Sequence, residues 1–237
     1  MRHGRVVAVE GPSAAGKTTV VTAVAARLDA TVVPEAFRRL DPPPSLEFVT
    51  ENGLAELEWG LLEEDARRFE EAHRAAASGE LVLADTGFLG PITYTAGLVE
   101  LRTAAGRTLG ALVARARTLA EDGRWGVPDA VLYLATSPHV QFARARGDPV
   151  GHPARLAARH VAVGEIERRL YHERLAPLWG GRFREVSGDG GRDPVIDRVA
   201  DAVREMVAAP SRAPTTEQLL AVFSPETRAG PSARGNR

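Results

Sequence analysis

The stretch Arg5-Val-Val-Ala-Val-Glu10-Gly-Pro-Ser-Ala-Ala-Gly16-Lys17-Thr18 constrains the fold more than any other part of the chain. A short apolar strand ends in a glycine-bounded turn, and Val20, Val21, Val24 and Leu28 then recur at the spacing of a helix. Gly11 and Gly16 allow a tight path on which successive backbone N–H groups can surround an anion, helped by the positive end of the following helix. This is the full P-loop pattern, in the strand-to-helix context that it requires. Gly11, Pro12, Ser13, Ala14, Ala15, Gly16, Lys17, Thr18 and Thr19 are therefore expected to hold ATP. Lys17 would span the β- and γ-phosphates and Thr18 would coordinate Mg²⁺.

Lys17 is the only lysine among 30 basic residues. Everywhere else the chain uses arginine, so a compact ammonium on a flexible stem is needed at this one place, where a planar guanidinium does not fit between phosphates. Charge argues for a small acceptor. The formal net charge of −1 supplies no large field to hold a nucleic acid polymer. The absence of cysteine excludes disulfides and thiolate metal sites. The start of the chain lacks the apolar run of a signal peptide, and no segment reaches the roughly 18 apolar residues of a membrane span. A cytoplasmic protein with no membrane partner is expected.

Further strands are predicted at Thr31–Pro34, Leu81–Ala84, Ala130–Leu134 and Phe183–Val186, with helical spacing between them. Leu54, Leu57, Leu61, Phe69 and Ala72 mark one helix and residues 98–121 another. Strands alternating with helices imply an α/β fold, a three-layer α/β/α P-loop NTPase with a five-stranded parallel sheet. Asp41-Pro-Pro-Pro-Ser45 can only be an extended loop, either a connector or a wall of the acceptor side. From residue 210 onward Pro, Ser, Thr, Arg and Gly predominate, predicting a kinase domain over 1–209 and a mostly disordered tail over 210–237, interrupted by the apolar Leu219–Phe223.

Several segments beyond the P-loop resemble thymidylate kinases and related nucleoside and nucleotide kinases. They are Val33-Pro34-Glu35, Leu83-Ala-Asp85-Thr86-Gly87 continuing to Thr93-Tyr94, Pro128-Asp129 with the strand after it, Ser137-Pro138-His139-Val140 with Arg144, and Tyr171–Leu175. The resemblance runs over about residues 4 to 207. It implies phosphoryl transfer from ATP·Mg²⁺ to a nucleoside, a nucleotide or another small hydroxylated metabolite, by a chain that could form a homodimer. It also implies a short lid at about 144–156. Asp85 then resembles the carboxylate that holds the metal through water, and Glu35 the one that accepts the attacking hydroxyl's proton. Arg144 and Arg146, more weakly Arg155 and Arg159, take the positions of lid arginines. The plainer alternatives are a turn or cap residue for Asp85, an ion pair with Arg38 or Arg39 for Glu35, and a solvated helix face for the arginines.

Two departures bear on the acceptor. The family's arginine after the strand-three aspartate is Thr86, and a later Asp or Ser is Gly90. Because that arginine grips the acceptor's phosphate, its loss favours an alcohol, including an antibiotic or other secondary metabolite, unless Arg38, Arg39, Arg67 or Arg68 replaces it. Glu63, Glu64, Asp65, Arg67, Arg68, Glu70 and Glu71 read mainly as the wet face of the helix between strands two and three. Trp59, Phe69 and Tyr94 could stack on an acceptor ring or belong to the core. The histidines show no metal-ligand spacing. Outside transferases, the pattern also suits a regulatory ATPase with no small acceptor.

Overall fold

Strands that are apolar at nearly every position need helices against both faces. The computed structural model, which describes residues 5–41, 51–104, 106–147, 154–209 and 213–224, has that arrangement. Strand β1 (Arg5–Glu10) leads through the glycine turn into α1 (Lys17–Leu28), followed by β2 (Thr31–Val33), a 3-10 turn over Ala36–Arg39 and the long helix α2 (Glu51–Ala77). Next come β3 (Leu81–Asp85), α3 (Gly90–Glu100), α4 (Gly106–Glu121) and β4 (Ala130–Ala135). Helices α5 (Pro138–Gly147) and α6 (Ala154–Leu170) follow, and α6 runs through a π turn, Tyr171–Leu175, into α7 (Ala176–Trp179). The described chain closes with β5 (Phe183–Ser187), α8 (Arg192–Ala208) and the short α9 (Thr216–Ala221).

The sheet order is β2-β3-β1-β4-β5, all parallel. β1 lies in the middle, with β3 on one side and β4 on the other, so the chain reverses its direction of winding beside it. At such a switch point the carboxyl ends of the strands part and leave a crevice for a ligand. Alternation along each strand divides the core in two. Val6, Val82, Ala84, Val131 and Tyr133 pack under α2, α3 and α4. Val7, Val9, Leu83, Leu132 and Leu134 pack on α1 and α8.

One local expectation is corrected and another is refined. The apolar spacing over 98–121 predicts one helix, but α3 starts earlier, at Gly90, and ends at Glu100, and α4 restarts at Gly106. The break has local causes: Arg102 takes the left-handed conformation (φ 57°), and the Thr103 N–H and hydroxyl both return to the Leu98 carbonyl, at 2.9 and 3.1 Å. The tail is the second case. Composition predicts a mostly disordered tail from residue 210, interrupted by the apolar Leu219–Phe223, and at that interruption α9 has a capping box, with Thr215 Oγ1 accepting from the Gln218 N–H (3.2 Å) and Gln218 Oε1 from the Thr215 N–H (2.8 Å). Leu219, Leu220 and Phe223 are buried in the same cluster as Leu112 and Trp125. Leu220→Ala is accordingly expected to lower unfolding free energy by about 2 to 5 kcal/mol in a denaturant titration. An unchanged midpoint would show that this helix does not pack on the body.

Most of Asp41–Ser45 and the lid loop over 148–153 lie outside the described residues. Among the described residues no helix is long and apolar enough to cross a membrane.

Candidate active site

The glycine turn between β1 and α1 is shaped by its neighbours as well as by its own sequence. Gly11 has φ 141°, and a Cβ there would fall 2.5 Å from the Leu134 carbonyl oxygen of β4. Ala14 and Gly16 are left-handed, at φ 63° and 94°, and no side chain caps α1, whose first N–H groups stay available to an anion. Lys17 Nζ lies over the turn and donates to the carbonyls of Gly11 (2.8 Å) and Pro12 (3.0 Å). Arg144 reaches the same turn from α5, donating through Nη1 to Ala15 O (2.7 Å) and through Nη2 to Gly188 O (3.0 Å). Arg146, on the same helix, is exposed and does not line the cavity described below. The side chain of Arg155 is outside the described set, and Arg159 lies beside Tyr94.

Asp85 closes β3 opposite Val9 and is 2% exposed. Burial pushes its carboxyl up, against the pull of the Thr18 hydroxyl, which donates to it, and of Lys17. Its Oδ1 has no hydrogen-bond partner. A buried carboxylate with one unsatisfied oxygen, beside a Thr hydroxyl and the anion turn, offers the hard oxygen donors that suit Mg²⁺. Among the described residues no cluster of three His, Asp or Glu forms a closed metal cage.

A cavity of about 790 Å³ opens from the turn between α2, α3 and α6. Glu35 stands at its edge, where it precedes the 3-10 turn, and its Oε1 accepts from Arg38 Nε at 2.9 Å. The ion pair weighed for Glu35 from sequence is therefore present, and it holds the carboxylate beside the cavity. Tyr94 lines the cavity too, whereas Phe69 packs edge-on against Phe88 and Trp59 is exposed outside it.

The charged stretch of α2 departs most from expectation. Leu54, Glu58, Asp65, Arg68 and Ala72 share one buried helix face, so Asp65 and Arg68 are not on the wet side. Arg68 is fully buried. Its Nε donates to Pro34 O (2.5 Å), Nη1 to Asp65 and Gly87 O (3.2 Å), and Nη2 to Asp85 O (2.8 Å) and Thr86 O (2.6 Å). All five guanidinium N–H groups are engaged. Arg68 therefore ties the end of β2 to the turn after β3, where Thr86 is left-handed (φ 61°) and a Cβ on Gly87 would strike Glu10 Oε1 at 2.0 Å. The signal was present in sequence, since Arg68 falls seven residues after Leu61 and fourteen after Leu54, on the apolar phase.

Among the described residues, the arginines expected as replacements for the phosphate grip are engaged with carboxylates, and of Arg38, Arg39 and Arg67 only Arg38 lines the cavity. Arg39 pairs with Glu64 and Glu71, Arg67 is exposed and pairs with Glu64 away from the cavity lining, and Arg38 holds Glu35.

Comparison with known proteins agrees with this geometry. A family model described as an AAA domain matches residues 6–172. A thymidylate kinase from Latilactobacillus sakei subsp. sakei (strain 23K) is 27% identical over 215 residues, covering 85% of this chain and 95% of that protein. Deoxyadenosine kinase from M. mycoides with bound dATP is similar in structure, with a TM-score of 0.58 and 13% identity over 84% of this chain and 99% of that one. The same kinase with bound dCTP gives 0.56, at 13% identity over 84% and 98%.

Proposed function

Because the chain belongs to the AAA domain family, we propose that it is a phosphotransferase of the nucleoside and nucleotide kinase type, using ATP and Mg²⁺ to phosphorylate a small-molecule hydroxyl. The observation that carries this reading is the convergence of Lys17, Thr18, Glu35 and Arg144 around one cavity at the switch point of the sheet, with the buried Asp85 hydrogen-bonded to Thr18 behind it. In it the loop amides and Lys17 grip the β- and γ-phosphates, and Arg144, already on the turn, adds positive charge where the phosphoryl group is transferred. Thr18 and, through water, Asp85 would hold Mg²⁺, which supplies charge neutralisation on the phosphate oxygens. Glu35 orients the acceptor hydroxyl and takes its proton as the new bond forms, a modest demand in a loose transition state. The partner in this reading is a small molecule of the cytoplasm, neither nucleic acid nor membrane.

Incubation of purified protein with ATP, Mg²⁺ and a panel of nucleosides, nucleotides and other alcohols tests the proposal. Phosphorylated acceptor supports it, whereas ADP and free phosphate released at the same rate with and without any acceptor would replace it with a regulatory ATPase. Glu35→Gln is expected to lower kcat about 10²- to 10⁴-fold with little change in KM for ATP. Equal kcat in the two proteins would remove Glu35 from the chemistry.

A further inference from the structure

The acceptor end of the cavity carries the wrong charge for a phosphorylated substrate. Glu58, Asp65 and Glu167 line it, with Glu10 between them and the glycine turn. Glu58 is 3% exposed, forms part of the cavity wall, and receives no hydrogen bond from any described residue. The charges that act on it are those of Asp65 on its own helix and Glu167 on α6, both of its own sign. The nearby cations are committed elsewhere. Lys17 lies at the triphosphate end, Arg68 has all five donors engaged, Arg38 holds Glu35, and Arg159 sits beside Tyr94.

Resting on the kinase reading above, we infer that the acceptor is a hydroxyl compound bearing a positively charged nitrogen, which Glu58 anchors between Asp65 and Glu167. A buried carboxylate with only like charges around it is stable as the neutral acid or against a cation, and an empty cavity alongside gives a ligand cation room to approach. Burial is the main influence raising all three acids, Asp65 and Glu167 to about 7 and Glu58 well above the usual carboxylate range. A cation entering here draws them back to the charged form, whereas a phosphate would meet carboxylates and, from the described lining arginines Arg38 and Arg68, only guanidinium groups already paired with Glu35 and Asp65. The substitution of Thr86 for the family's phosphate-gripping arginine points the same way.

The test measures affinity of the full chain, with a nonhydrolysable ATP analogue and Mg²⁺ present, for matched pairs: adenosine against 1-methyladenosine, glucose against glucosamine, and thymidine against thymidine monophosphate. In at least one of the first two pairs the cationic member is expected to bind at least tenfold more tightly. Glu58→Gln, nearly isosteric, should shrink that preference to within about threefold while affinity for the ATP analogue is kept. Glu167→Gln should reduce it in the same direction. Equal or undetectable binding of both members in both pairs, strongest binding of the monophosphate, or a preference that survives Glu58→Gln overturns the inference. The two readings fail separately. A cation that binds but is never phosphorylated with ATP and Mg²⁺ leaves the cation site standing and sinks the kinase reading. Efficient phosphorylation of a neutral alcohol or a monophosphate, with no cation preference, does the reverse.

Discussion

Lys17→Ala is expected to lower turnover of ATP by at least about 10³-fold while the protein still folds. Lys17 is the only lysine in the chain, and its ammonium lies over the glycine turn, held there by two carbonyls of that turn. When a triphosphate enters, the ammonium exchanges those neutral acceptors for charged phosphate oxygens, a stronger class of hydrogen bond. Removal of one such donor from a preorganised site costs about 10²- to 10³-fold, and the missing charge adds to that. Lys17→Arg should recover little, because the guanidinium is planar and bulkier. Steady-state kinetics together with binding of a fluorescent ATP analogue checks this, and wild-type affinity and rate in Lys17→Ala would overturn the assignment of the nucleotide site.

The second large effect concerns stability. Arg68→Met should destabilise the fold by about 3 to 5 kcal/mol, because it leaves the buried Asp65 carboxylate without its partner and orphans four backbone carbonyls. For a chain of this size that corresponds to a fall in Tm of roughly 6 to 20 °C. The double variant Arg68→Met with Asp65→Leu should recover part of the loss by removing the stranded charge. A Tm within about 2 °C of wild type in the single variant would show that Arg68 does not organise this region.

What could be read from sequence follows the range of the interactions involved. The glycine turn, its strand and its helix are specified by adjacent residues, and the other four strands announce themselves as apolar runs whose limits agree with the observed strands to within about a residue. Glu35 and Asp85 sit at strand ends, so their arrival at one crevice follows from parallel topology. The role of Arg68 leaves little trace in sequence, because its five acceptors lie 3 to 34 residues away and most are main-chain carbonyls, which have no sequence signature. The acidity of the acceptor end was hidden for a related reason. Glu58 and Glu167 are 109 positions apart and meet only because α2 and α6 flank one cavity. The docking of α9 was concealed by averaging, since a six-residue helix with its own cap is diluted in a tail of Pro, Ser and Gly.

One guanidinium joins the carbonyl of Pro34, the residue just before Glu35, to the carbonyl of Asp85 itself. The carboxylates proposed here for the acceptor hydroxyl and for the metal therefore sit on segments tied together by one buried side chain, so a change at Arg68 is expected to disturb both at once.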